Sequence, residues 1–273
     1  MDEVGAIVER LWPGRDAVVE RLGGGITNHN FKVSVGGENV VVRIGGKDTE
    51  LLGIDRAHEH EATLAAASIG VGPEVVAFVE GCLVTQFIGG RPVPPEELDP
   101  ADVGETLRLV HSGPAIPGRF DSFRLVEEYR RTAEEHGVAI PVAFAEAARR
   151  AAPIEASRGT VALVPCHNDL LNANFLHDGA RLRIVDWEYA AMGDPFFDLG
   201  NFAANHELDE AAERSLLEAY SGDAGDEALS TLRGMRFMSD FREAMWGVVQ
   251  QGISELDFDF VGYADDHFAR ALA

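Results

Sequence analysis

The residues able to do chemistry crowd into one stretch, 165–201, which reads PCHNDLLNANFLHDGARLRIVDWEYAAMGDPFFDLGN. His167, Asp169 and Asn174 are spaced H-x-D-x-x-x-x-N, and twelve residues after Asn174 the apolar run 182–185 delivers Asp186. One carboxylate can serve as a base toward a hydroxyl, while an amide oxygen and a second carboxylate hold a magnesium ion. Such hard oxygen donors suit Mg²⁺, which takes few protein ligands and completes its shell with water and substrate phosphates. This is the division of labour that phosphoryl transfer requires. Cys166 beside His167 is read as a buried filler, not a thiol nucleophile, because neighbours on a strand point to opposite faces.

The elements that must position these groups are short. Residues 161–164 and 182–185 read as strands, each an apolar run beside turn residues. Asp178-Gly179 between them is a hairpin signal. Such a hairpin would carry Asp169, Asn174 and Asp186 to one end of a small sheet. Upstream, residues 7–12 close an amphipathic helix ended by Pro13-Gly14. Strand-like runs follow at 17–22, 30–35 and 39–44, separated by Gly23-Gly24-Gly25 and Gly36-Gly37. A glycine-rich hairpin lets backbone N–H groups approach phosphates closely. Residues 54–69 read as an Ala-rich helix stopped by Gly70-Val71-Gly72-Pro73, and strands at 75–79 and 83–87 complete a five-stranded sheet. Beyond Pro92, strand signals vanish outside the opening stretch. Helices are expected at 99–111, 122–136, 143–152, 210–220 and 227–251, with a last one from Tyr263 onward.

The 165–201 stretch resembles the catalytic loop and metal-binding segment of the choline/ethanolamine kinase family, within the aminoglycoside phosphotransferase and protein-kinase-like superfamily. The loop there reads H-x-D-x-x-x-x-N, the metal carboxylate sits in I-D-[FW]-E, and here I-V-D-W-E-Y and F-D-L-G-N follow in order. The resemblance implies Asp169 as catalytic base, Asn174 and Asp186 as Mg²⁺ ligands, and ATP as phosphoryl donor. His167 and His111 are given structural roles, and Asp198 either caps the next helix or braces the loop. Glu188 stands as a substrate contact or a second magnesium contact.

The resemblance extends along nearly the whole chain. L-G-G-G-I-T-N-H-N-F is similar to the family's G-G-x-T-N loop, which implies that Gly24, Gly25, Thr27 and Asn28 order the loop or meet phosphate oxygens. Arg43 stands where kinases usually carry the phosphate-binding Lys, and its bidentate fork can do that work. Glu59, in R-A-H-E, is its expected partner, with Glu61 as second choice. Gln86 and Ile88, in the run 86–90 that leads into a hinge bounded at 89–95, would offer backbone groups to adenine. The C-terminal Trp246-Gly247-Val248-Val249-Gln250-Gln251-Gly252-Ile253-Ser254 is similar to the family's W-G-L-W-x-x-V-Q-A-x-I-S, with its second Trp read at Val249. Phe258 to Ala264 resembles F-x-Y-x-x-Y-A. Trp246 and Tyr263 are thereby implied to face a cationic acceptor through cation–π attraction.

The expected fold is α+β and two-lobed, protein-kinase-like, with an N-terminal five-stranded antiparallel sheet plus helix and a mainly helical C-terminal lobe. The lobes are expected at 1–88 and 96–273. The expected activity is ATP- and Mg²⁺-dependent phosphorylation of a small amino alcohol, choline or ethanolamine. Aminoglycoside, thiamine or another small alcohol is the alternative acceptor, and a non-catalytic binding protein of the same fold is a further one.

Composition sets the outer bounds. The 273 residues are ample for a core, and 46% are hydrophobic, which excludes disorder. A formal charge of −23 argues against nucleic acid or an anionic membrane as partner, since both demand clustered basic residues. Only Lys32 and Lys47 are lysines. The acidity reads as a solvated surface, and it also favours approach of a cationic substrate. Two cysteines make neither a disulfide framework nor a zinc site. The acidic amphipathic N-terminus is unlike a signal peptide, so a soluble cytoplasmic protein is expected.

Overall fold

Alternation of buried and exposed positions builds the first sheet. The protein is described by a computed structural model covering residues 3–23, 28–46 and 49–273. It divides into two compact units, Met1–Pro92 with Ala173–Tyr189, and Val93–Asn172 with Ala190–Ala273. In the first unit, helix α1 (Glu3–Leu11) precedes strands β1 (Ala17–Arg21), β2 (Asn28–Val35) and β3 (Glu38–Gly45). Helix α2 (Arg56–Ser68) leads to β4 (Val75–Val79), β5 (Cys82–Gln86) and the two-residue β6 (Arg91–Pro92). The sheet runs β1-β2-β3-β5-β4 with every neighbour antiparallel, as expected.

Val33, Val35, Val40, Val42, Ile44 and Val84 share one core with Val4, Ile7 and Val8, so the apolar stripe of α1 covers one face of the sheet. Each such side chain contributes about 1.5–3 kcal/mol when fully buried. The β2–β3 hairpin turns on Gly36 and Gly37, at φ 60° and 88°, a pair that only glycine adopts without strain. Asp55 caps α2 by accepting from the N–H groups of Ala57 and His58.

In the second unit the chain forms α3 (Pro100–His111), α4 (Ser122–Glu135), α5 (Ala143–Arg158) and strand β7 (Val164–Cys166). Here the structure departs from the sequence reading. The strand begins at Val164 instead of spanning 161–164, and it pairs with β10 (Ala191–Gly193), not with the run after Asp178. The Asp178-Gly179 turn instead joins β8 (Phe175–His177) to β9 (Leu182–Ile184), and β8 also pairs with β6. The turn itself was legible: Asp178 accepts from the N–H groups of Ala180 and Arg181, and Gly179 sits at φ 95°. Its partner strand was not, because 175–177 is only three residues long.

Residues 173–189 therefore fall in the first unit, although the sequence reading put them in the C-terminal lobe. Backbone groups explain it. Ile184 N–H donates to the Val71 carbonyl at 3.1 Å, and the Arg183 guanidinium donates to Val71 and Gly72 carbonyls at 3.1 and 2.5 Å.

The remaining helices of the second unit are α6 (Pro195–Asn205), α7 (Glu210–Ser221), α8 (Asp226–Ile253) and α9 (Phe260–Leu272). Helix α8 is buried on every side from 238 to 250, which marks it as the axis of this unit. Gly200 lets α6 lie against it, since a Cβ there would stand 2.5 Å from the Arg236 backbone nitrogen. No helix among the described residues is long and apolar enough to cross a membrane.

Candidate active site

Each unit carries its own share of the candidate chemistry. In the second, the loop after β7 is held by buried side chains reaching its backbone. Asp198, fully buried on α6, accepts from the N–H groups of His167 at 2.8 Å and Asn168 at 2.7 Å. Asn201, one turn further along the same helix, accepts from Leu170 N–H at 2.5 Å and donates to Ser239 on α8. The Asp169 N–H donates to His167 Nδ1 at 3.2 Å, which gives that histidine the loop-steadying role. Asp169 itself is 8% exposed. Asp198 braces the loop and does not cap α6; Asp194 is the cap, accepting from Phe196 N–H. Cys166 is fully buried, and burial pushes its thiol well above the ordinary value, as suits a filler.

His111 closes this brace. Its Nε2 donates to Asp198 at 3.0 Å and its Nδ1 lies 2.9 Å from the Tyr220 hydroxyl. Burial opposes the charge on Asp198, but the His111 hydrogen bond, the charges of His111 and His167 and the loop N–H outweigh it, so the carboxyl sits below its ordinary value. A depressed folded-state pKa gives stability that is present above the unfolded value, near 3.9, and lost as pH falls through the folded one. Asp198→Ala leaves two buried N–H groups and an imidazole without their acceptor, so a loss of about 3 kcal/mol or more is expected from urea unfolding at pH 7. Asp198→Asn should flatten the fall in stability below about pH 4.

The acceptor-facing candidates also lie in this unit. Trp246 on α8 and Tyr263 on α9 meet edge to face, with centroids 5.6 Å apart, and Trp246 also meets Phe260 at 5.9 Å. The Tyr263 hydroxyl donates to Glu243 Oε2 at 2.8 Å. Burial, then the Glu243 carboxylate, push that phenol far above its ordinary value, so it remains a donor. Val249, read as the missing Trp, is fully buried. Glu243, three residues before Trp246 on the same helix face, joins these rings as a carboxylate that the sequence reading missed.

In the first unit, a single guanidinium links strand, helix and loop. Arg43 on β3 donates through Nη1 to Glu59 Oε1 at 2.8 Å and to Asp186 Oδ1 at 2.5 Å. Burial opposes its charge, but Asp186, then Glu59 and Glu188, raise its pKa, so it stays cationic. Glu59, 1% exposed, is thus the partner, and Glu61 is not needed. Asp186 has a left-handed backbone at φ 70°. The Val185 N–H donates to the Asn174 carbonyl at 3.0 Å, tying the two candidate ligand segments together. An amide oxygen and a carboxylate on these segments are the hard donors that Mg²⁺ takes.

Arg56 was not foreseen as a site residue. It donates to Glu59 Oε2 at 2.7 Å, to Glu188 Oε2 at 3.2 Å and to Asn28 Oδ1 at 2.8 Å, and Asn28 Nδ2 donates to Glu188 at 2.9 Å. Asn28 and Glu188 are thereby engaged with each other inside this unit. The signal for Arg56 was its place three residues before Glu59, one helical turn away. Gly24, Gly25 and Thr27 lie outside the described residues. In the stretch expected to meet adenine, Gln86 N–H donates to the Glu74 carbonyl, Phe87 N–H to Asn39, and the Ile88 carbonyl accepts from Gly90 N–H. The first two are spent on the sheet.

Residues 18–238 match the family model described as "Phosphotransferase enzyme family". The chain is 26% identical over 301 residues to ethanolamine kinase 1 of Mus musculus, covering 93% of this chain and 82% of that one. The crystal structure of a choline/ethanolamine kinase family protein from Mesorhizobium loti superposes with TM-score 0.84 at 31% identity, covering 99% and 93%. Choline kinase LicA from Streptococcus pneumoniae shares the fold at TM-score 0.85 and 22% identity, covering 98% and 96%.

Proposed function

Because the chain belongs to the phosphotransferase enzyme family, and within it to the choline/ethanolamine kinase family, we propose that it moves the γ-phosphoryl group of ATP onto the hydroxyl of a small amino alcohol. It is an enzyme and a small-molecule kinase. The observation that carries the nucleotide half of the proposal is the strand-to-helix ion pair Arg43–Glu59 at 2.8 Å. Kinases need such a pair to hold nucleotide phosphates, and a buried arginine kept charged by carboxylates supplies it. Arg56, by fixing the other oxygen of Glu59, keeps that carboxylate turned toward Arg43.

Asp169 is assigned as the group that orients the acceptor hydroxyl and takes its proton. Its direction depends on the braced loop, because base catalysis needs hydrogen-bond reach to the proton removed. Asn174 and Asp186 would hold Mg²⁺, whose charge offsets that of the phosphate oxygens. For the acceptor, Trp246 and Tyr263 offer ring faces to a cation, and Glu243 offers charge complementarity. A formal charge of −23 further favours a cationic alcohol over an anionic one.

An acceptor panel with ATP and Mg²⁺, read by product identity and ADP release, tests this. Phosphoethanolamine or phosphocholine should form with kcat/KM at least ~10-fold above that for thiamine or an aminoglycoside. Preferential turnover of an aminoglycoside would overturn the acceptor assignment and leave the phosphoryl-transfer assignment standing. ATP binding without turnover of any acceptor would favour a binding protein of this fold.

A further inference from the structure

Arg242 is the largest fully buried side chain among the described residues, and it sits in the all-round buried section of α8. A guanidinium removed from water is tolerated only when paired and hydrogen-bonded. Its partners are informative. Nη2 donates to the Asn168 carbonyl at 2.6 Å, Nη1 is paired with the Glu243 carboxylate, and Asp169 Oδ1 lies 3.9 Å away. The face of Phe120 packs 6.0 Å from its carbon.

Asn168 is the residue before Asp169, and its backbone is left-handed at φ 65°. Asparagine enters this region more readily than most non-glycine residues, and it is held there by its surroundings. Both ends of Asn168 are pinned: its N–H by Asp198 and its carbonyl by Arg242. The first anchor comes from α6 and the second from α8, so the turn that aims Asp169 is gripped from two helices. Arg242 from α8 stands 3.9 Å from the Asp169 carboxylate, Tyr129 from α4 and Tyr263 from α9 feel its charge, Glu243 is paired to Arg242, and His167 receives the Asp169 backbone N–H. Arg242 alone among them is permanently cationic.

Resting on the assignment of Asp169 as base, we infer that Arg242 is a positioning residue that fixes the direction of the Asp169 carboxylate. It also joins the loop, through Glu243 and the Tyr263 hydroxyl, to the Trp246–Tyr263 pair. A displaced acceptor wall is then felt at the base, and the loop cannot relax alone.

Arg242→Met by itself would strand Glu243 as a buried carboxylate, so the test uses Arg242→Met/Glu243→Gln and, separately, Arg242→Lys, each in the full chain. Folding is checked by urea unfolding, and steady-state rates are taken with ethanolamine and with choline. The double variant should lose ~10–100-fold in kcat, as for loss of a group that orients a catalytic side chain, with KM for ATP within about twofold of wild type. The acidic limb of its kcat–pH profile should stay near its wild-type position, because the variant removes one positive and one negative charge together beside the carboxylate. Arg242→Lys should leave the limb in place and retain only part of kcat, since an ammonium keeps the charge but not the fork. Either folded variant retaining wild-type kcat, or losing activity only through KM for ATP, would overturn the inference. If Asp169→Asn keeps its activity, the base assignment fails instead, so the two failures are separable.

Discussion

Asp169→Asn is expected to lower kcat by ~10²–10⁴-fold, the range that a positioned general base contributes. The substitution is nearly isosteric, and its backbone partners are unaffected: His167 Nδ1 receives the residue's N–H and Asp198 and Arg242 hold the preceding residue. The loop should therefore keep its shape. Nucleotide affinity, which the proposal assigns to Arg43 and its carboxylates in the first unit, should change by less than about threefold, because a base acts on the transferring step and not on ground-state binding. Rapid-quench turnover together with equilibrium titration of ATP separates the two. Near wild-type kcat would falsify the assignment of Asp169.

Asp186→Asn is expected to have an effect of similar size through a different route. Its carboxylate is the proposed anionic ligand for Mg²⁺ and also a partner of Arg43 at 2.5 Å. Asparagine is the informative substitution because position 186 is left-handed at φ 70°, a region that Asn and Asp enter far more readily than Ala. An Ala variant would mix backbone strain with loss of the ligand. With Asn, kcat should fall by at least ~10²–10³, as when a preorganised electrostatic stabiliser is removed. The Mg²⁺ concentration giving half-maximal rate should rise, since a neutral amide is a weaker ligand. Arg43 keeps Glu59, so the strand-to-helix pair should survive. A magnesium titration that superposes on the wild-type curve would remove Asp186 from the metal site.

The parts of the molecule that could be read from the sequence are those where one residue type has one physical use. Paired glycines at 36–37, a strand with buried alternate valines and an Ala-rich helix behind Asp55 each carry their own explanation. Arg43 and Glu59 could be paired because R-A-H-E resembles the opening of the corresponding helix in the family, and the two side chains meet at 2.8 Å. Glu188 was harder, since its place two residues after Asp186 does not reveal the Arg56 and Asn28 side chains that hold it. The small strands were misjoined because three-residue strands lack a periodicity to read.

Arg242 and Glu243 were missed for a related reason. In an amphipathic helix, adjacent charges mark the wet face, but residues 238–250 have no wet face. A helix buried on every side hides its functional charges from pattern analysis, and the signal left is an Arg-Glu pair set among Phe241, Met245 and Trp246. Register hid the rest. Aligning Val249-Gln250 with the family's V-Q puts Trp246 on the second Trp of that motif and Glu243 on the first. The motif position that lacks an aromatic ring is then 243 and not 249. That position is not vacant apolar space but a carboxylate held by Tyr263.

The assignment of residues 173–189 to the first unit carries a consequence for how the protein is made. Strand β6 finds its neighbour in β8, and the Val71 and Gly72 carbonyls find their donors on Arg183 and Ile184. On a ribosome, the chain through Pro92 emerges with these groups unmatched and waits for the rest, roughly 5–20 s at ordinary rates of synthesis. The second unit is split by the same loan, since Val93–Asn172 must await Ala190–Ala273. Neither unit is a contiguous gene segment, so recombination that exchanges one half of the coding sequence divides both. The breakpoints that spare the fold come in matched sets, at 92, 172 and 189 together.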